Sequence, residues 1–95
     1  MHVITRKRIL EFSHSHPESR GALEAWFSIV VKTRFASFTN LRRTFPSADW
    51  VDGNVVFNIG GNNYRLIAAI HFNRGKLYIR HILTHAEYDK GGWKQ

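Results

Sequence analysis

Cysteine is absent from the 95 residues, which removes disulfide staples, thiolate zinc sites and thiol nucleophiles from consideration. Long apolar runs are absent too, and nothing approaches the roughly 20 residues that span a bilayer. Arg6-Lys7-Arg8 is not followed by a signal-peptide core, because Glu11, Ser13, His14 and His16 interrupt the stretch behind it. The expectation is a cytoplasmic protein with no membrane partner. Proline occurs only twice, and with 43% hydrophobic and 14% aromatic residues the composition is that of a folded globule, not a disordered tail. A chain this short supports one hydrophobic core, so residues 1–95 are expected to form a single domain.

Acidic residues are scarce. Seven Asp and Glu stand against 14 Lys and Arg, a formal charge of +7 that favours a polyanionic partner, of which nucleic acid is the commonest. Solubility alone is the plainer explanation of such a charge. The basic residues are scattered and form no polybasic tail, so an anion-binding surface has to be assembled by the fold.

The hydrophobic period divides the chain into a helical first half and a strand-rich second half. Val3 and Ile4 suggest a short opening strand before Thr5, an N-cap residue type, and a first helix to about Ser13. Ser15-His16-Pro17-Glu18 reads as a cap with proline in the first turn of a second helix, in which Ala22/Leu23, Trp26/Phe27 and Val30/Val31 repeat every four residues. Asn40 to Phe45 forms a short helical turn ended by Pro46. Then the period becomes two. Asn54–Ile59, Tyr64–Phe72 and Lys76–Leu83 are three strands separated by Gly60-Gly61-Asn62-Asn63 and Asn73-Arg74-Gly75, connections short enough to make neighbours antiparallel. Thr84-His85-Ala86-Glu87 matches a capping box and starts a last helical turn carrying His85 and Tyr88 outward, while Gly91-Gly92 suggests a mobile end.

Alternation along the last two strands sorts the side chains. Tyr64, Leu66, Ala68, Ile70 and Phe72 oppose Arg65, Ile67, Ala69 and His71; Leu77, Ile79, His81 and Leu83 oppose Lys76, Tyr78, Arg80 and Ile82. If both apolar sets lie under the helices, Arg65, His71, Tyr78 and Arg80 share the other face. That arrangement needs an effectively two-residue turn at Asn73-Arg74. A three-residue turn with a bulge at Gly75 would put Arg65 and Arg80 on opposite faces, and the sequence leaves both open.

Two helices, a strand meander and a short tail with His, Tyr and Lys, on a basic chain of this length, resemble the RelE-like toxins. The similarity is greatest to the HigB family of messenger-RNA interferases. It rests on Met1-His2-Val3-Ile4-Thr5, Phe57-Asn58-Ile59-Gly60-Gly61-Asn62, Tyr64-Arg65-Leu66, Tyr78-Ile79-Arg80 and Thr84-His85-Ala86-Glu87-Tyr88-Asp89, in that order over nearly the whole chain. The resemblance implies an α+β RelE-like fold, with two N-terminal helices packed on one face of a small antiparallel sheet. It also implies cleavage of messenger RNA, usually on the ribosome, and neutralisation by a HigA-type helix-turn-helix antitoxin, with operator DNA met only through that antitoxin.

RNA can be cut without metal when its own 2′-OH attacks the adjacent phosphorus. The protein must then supply a base, an acid for the leaving 5′-oxygen, and cations for the charge developing on phosphorus. Arg65 and Arg80 suit the cationic role because guanidinium is permanently charged and binds phosphate bidentately. His85 suits proton transfer, and Tyr88 or Tyr78 can exchange a proton beside a cation or stack on a base; which group is base and which is acid stays open. The expected catalytic set is therefore Arg65, Arg80, His85 and Tyr88, with Tyr78, His71, Lys76, Lys90 and Lys94 contacting RNA. His81, on the apolar set, is expected to be structural.

No metal site or cofactor is expected. His14-x-His16 points to different helical faces, His81 and His85 lack a carboxylate at zincin spacing, and Gly60-Gly61 lacks the Lys-Ser/Thr of a phosphate loop. The rival class is a non-catalytic basic module that binds RNA or DNA. A helix-turn-helix is disfavoured, since the last third reads as strands and the best helix has no basic reading face.

Overall fold

The computed structural model describes residues 1–94. A short strand β1 (His2–Ile4) leads into helix α1 (Lys7–Ser15), a 3-10 turn at Pro17–Ser19, helix α2 (Arg20–Lys32) and helix α3 (Phe38–Thr44). Strands β2 (Asp49–Val51), β3 (Asn54–Ile59), β4 (Tyr64–His71) and β5 (Lys76–Thr84) follow, then helix α4 (His85–Lys90) and a 3-10 turn at Gly92–Lys94. All five strands form one sheet in the order β1-β5-β4-β3-β2.

The sheet is mixed, not purely antiparallel: β1 runs parallel to β5 while every other neighbour is antiparallel. Helices α1 to α3 and three further strands separate the two, so no tight turn dictates the direction of β1. Strand β2 was not expected, yet its signal is present. Asp52 and Gly53 both have positive φ (50° and 80°), the conformation of an Asp-Gly hairpin turn that pairs Val51 with Asn54. Thr5 also departs from expectation. Arg6 occupies the N-cap of α1 and no side chain caps that helix.

Leu23, Trp26 and Val30, three and four residues apart, form the buried stripe of α2. They meet Val55, Phe57 and Ile59 of β3, Tyr64, Leu66 and Ala68 of β4, and Leu77 and Ile79 of β5 in one core. Phe57 anchors it, with edge-on contacts to Trp26 at 5.3 Å and Phe45 at 5.1 Å between ring centroids. Truncating a side chain such as Leu23, which has no exposed surface, is expected to remove about 2–5 kcal/mol.

Two local features aim the residues of β5. At the β4–β5 turn His71 pairs with Lys76 across four loop residues, an even number, so Arg65, His71 and Tyr78 begin on one face as in the two-residue alternative. Gly75 at φ 66° takes the left-handed conformation that glycine accepts, and its missing Cβ leaves room for the Arg34 guanidinium that holds the Phe72 and Asn73 carbonyls. Further along, a β-bulge intervenes: Ala68 pairs with Ile79 but Ile67 pairs with His81, leaving Arg80 outside the ladder. Past the bulge the alternation inverts. Ile82 turns to the main core, whereas His81, paired with Ile67, and Leu83 lie on the opposite face. The simple alternation that assigned His81 to the apolar set is corrected by this one inserted residue.

Candidate functional site

The face of the sheet away from α2 is partly covered by the C-terminal segment. Thr84 Oγ1 accepts the Glu87 amide at 3.2 Å and Glu87 Oε1 accepts the Thr84 amide at 2.9 Å, the capping box that starts α4. Gly91 closes the helix at φ 73°, and Trp93 then folds back onto Val56 and Ile67. Its indole N–H donates to the Tyr88 carbonyl at 3.2 Å, and its ring stacks on Tyr88 at 5.2 Å. The expected mobile end is therefore a packed one. A glycine at the helix C-terminus followed by a large apolar residue is the signal that marks such a return.

Beneath this cover lies Arg65, only 8% exposed. Its guanidinium donates to the Asn62 carbonyl at 3.2 Å, the Tyr64 carbonyl at 3.0 Å and Asn62 Oδ1 at 2.6 Å, and sits 5.6 Å from the Tyr88 ring centroid. Burial, reinforced by Asp49 and opposed by Arg65, pushes the Tyr88 phenol above its ordinary value. At neutral pH Tyr88 is thus a hydroxyl donor and a stacking surface, not a phenolate. It is half-buried, not carried outward as α4 alone would suggest.

At the far end of the same face His71 and Tyr78 meet edge-on at 5.4 Å, Lys76 stands across from His71, and His2 lies alongside Lys76 on β1. Between the two ends come Arg80, exposed, and His81, half-buried. The His81 imidazole is held below its usual range, by burial first and then by the positive charges of Arg8 and Arg80. Charge and partial burial together keep it neutral at neutral pH, the form that accepts a proton. His85, exposed on the first turn of α4, has Nδ1 3.4 Å from Asp89 Oδ2. Lys94 Nζ lies 5.6 Å from the Trp93 ring, and Lys90 is exposed on the last turn of α4.

The structure thus brings Arg65 against Tyr88, and Tyr88 and Lys94 against Trp93, at one end, and His71, Lys76 and Tyr78 together at the other. Six residues of β4, from Arg65 to His71, or roughly 20 Å, separate these ends. Arg80 belongs to neither group. It shares with Arg8, from α1, an electrostatic effect on His81, which no local spacing announces because Arg8 reaches His81 only through tertiary packing. Among the described residues no group of three or more His, Asp or Glu side chains is placed to hold a metal ion, and no helix is long and apolar enough to cross a membrane.

Residues 19–91 match the family model of HigB_toxin, described as the RelE-like toxic component of a toxin–antitoxin system. The chain is 37% identical over 92 residues to the mRNA interferase toxin HigB of Escherichia coli K12, covering 94% of this chain and 88% of that one. The same identity and coverage hold for the mRNA interferase HigB of Shigella flexneri. The mRNA interferase HigB of Escherichia coli O6:H1 is 33% identical over 93 residues, 95% of this chain and 90% of the relative. With a cationic sheet face flanked by imidazoles and a family match over most of its length, this chain belongs to the HigB family of RelE-like toxins.

Proposed function

We propose that this protein is the toxin of a toxin–antitoxin pair and an endoribonuclease that cuts messenger RNA on translating ribosomes, using the 2′-OH of the RNA as nucleophile. The observation that carries the reading is the β5 bulge, which takes Arg80 out of the ladder as an exposed cation immediately beside an imidazole kept neutral. Arg80, joined by Arg8, binds the scissile phosphate and stabilises the charge that grows on it. His81 is available to take the 2′-OH proton, and His85, oriented through Nδ1 by Asp89, to protonate the leaving 5′-oxygen. Arg65 acts through Tyr88, which it holds from below, and Tyr88 offers its hydroxyl to the substrate. Tyr78, His71 and Lys76 receive the strand at one end, and Lys90 and Lys94 at the other.

Neutralisation follows from the same surface. A HigA-type antitoxin with a helix-turn-helix binds the toxin and shields or reshapes its cationic face, and the complex meets operator DNA through the antitoxin. The rival reading, a non-catalytic RNA-binding module, shares the charge but gives no use to the neutral imidazole beside Arg80.

The test is cleavage of a defined mRNA by the purified protein, with and without ribosomes, using a substrate carrying 2′-deoxy at the scissile nucleotide. Cutting of the ribose substrate and resistance of the deoxy one are expected. Efficient cutting of the deoxy substrate eliminates 2′-OH attack; intact RNA under every condition leaves the binding module as the better description.

A further inference from the structure

Thr5 stands at the end of β1 with φ 70°, in the left-handed region that a β-branched residue rarely enters. Its hydroxyl does not cap the helix that follows, since α1 has no side-chain cap bond. Instead Thr5 Oγ1 accepts the Ile79 amide at 2.9 Å, and its single proton is shared between the Ile79 carbonyl, 3.0 Å away, and the Ile4 carbonyl. One side chain therefore occupies both main-chain groups of Ile79. Backbone pairing between β1 and β5 ends one residue earlier, at Ile4 with Tyr78, so the hydroxyl extends the ladder by one position where the backbone of β1 has already turned away. On the other edge Ile79 is the last residue of β5 in the turn-proximal register with β4; the next residue is Arg80, in the bulge.

From this arrangement we infer that Thr5 is a positioning residue: its hydroxyl pins Ile79 on the open edge of β5, fixes where the bulge begins, and so sets the direction of the Arg80 side chain. The inference rests on the role given to Arg80 above. Its physical content is that a strained backbone is retained where it aims a functional group, and here the strained residue is hydrogen-bonded to the immediate chain neighbour of the aimed one. A hydroxyl serving only the packing of β1 would not need to bond both groups of the residue that precedes the bulge. Removing it frees Arg80 to pair with Ile67 in place of His81, which would bring Arg80 back into the alternation.

The test compares single-turnover mRNA cleavage by Thr5→Val, Thr5→Ser, Arg80→Ala and the Thr5→Val/Arg80→Ala double variant, together with amide exchange at Ile79 and Arg80. Thr5→Val is expected to slow cleavage by about 10- to 100-fold, the range for a small misplacement of a catalytic group, and to lose protection at the Ile79 amide. Thr5→Ser, which keeps the hydroxyl, should recover most of the rate, and the double variant should be no slower than Arg80→Ala. If Thr5→Val does not fold, Thr5→Gly removes the hydroxyl at a φ that glycine accepts and is read in the same way. A wild-type rate in Thr5→Val beside an inactive Arg80→Ala overturns the positioning role alone. Multiplying losses in the double variant also overturn it, because they mean that Thr5 acts independently of Arg80. A wild-type rate in Arg80→Ala overturns the reading of the site itself, and the positioning role with it.

Discussion

The guanidinium of Arg65 lies under the ring of Tyr88, 5.6 Å from its centroid, while donating to the backbone and side chain of Asn62. The cation is thus used first to join the β3–β4 turn to the C-terminal helix. Arg65→Met is expected to lose about 1.5–3 kcal/mol of stability, the range for hydrogen bonds made by a charged group, and to loosen Tyr88. Tyr88→Phe should keep the stacking on Trp93 and the stability but lower cleavage. Thermal melts and rates on the same preparations separate the two, and a Tyr88→Phe protein of wild-type rate removes the hydroxyl from the mechanism.

Arg80 behaves oppositely. Because it stands outside the ladder and exposed, Arg80→Ala should leave the melting temperature nearly unchanged while reducing cleavage on the order of a hundredfold or more. Arg80→Lys should restore only part of the rate, since an ammonium does not reproduce bidentate binding of phosphate. Growth arrest on induction gives the corresponding cellular measurement.

Trp93 covers Val56 and Ile67 on the face of the sheet that carries the candidate site. Trp93→Ala is expected to destabilise the fold by about 3 kcal/mol, the lower end for loss of a buried aromatic, because the ring closes a small cluster and not the main core. Denaturant midpoints and dye binding to the uncovered surface check this. An unchanged midpoint would mean that the C-terminal return contributes nothing to stability.

Stability should fall on acidification in two windows. The His81 pKa is lowered by folding, so the unfolded chain binds the extra proton; its contribution is complete above about 6.5, the unfolded value, and declines as pH falls toward the folded value. Glu87, whose carboxylate accepts the Thr84 amide, is also lowered, so its contribution is present above its ordinary 4.5 and is lost as pH drops through the folded value. His81→Asn should flatten the first window and Glu87→Gln should shrink the second, measured as denaturant midpoints against pH.

The +7 charge makes a clear expectation for the antitoxin complex. If the cationic face is what the antitoxin covers, affinity should fall steeply with salt, chiefly through slower association. Titrations at several ionic strengths check this, and salt-independent affinity would point to apolar anchoring instead.

The sequence alone determined the elements that rest on short-range physics. The four-residue stripe of α2, the period-two strands, the Thr84–Glu87 capping box and the excess of cations are written in neighbouring residues, because hydrogen-bond geometry and hydrophobic period are local properties. Asp52-Gly53 shows that even the missed hairpin was locally encoded. The composition of the site was decided elsewhere. A single inserted residue at Arg80 inverted the faces of His81, Ile82 and Leu83, and a bulge has no reliable residue signature. Whether Arg65 lies open or buried depended on Tyr88, 23 residues further along the chain, settling over it. Arg8 beside His81 and Thr5 on Ile79 are joined across more than 70 residues of chain. Such pairings arise only when the helices settle on the sheet, where packing, not propensity, selects which polar groups meet.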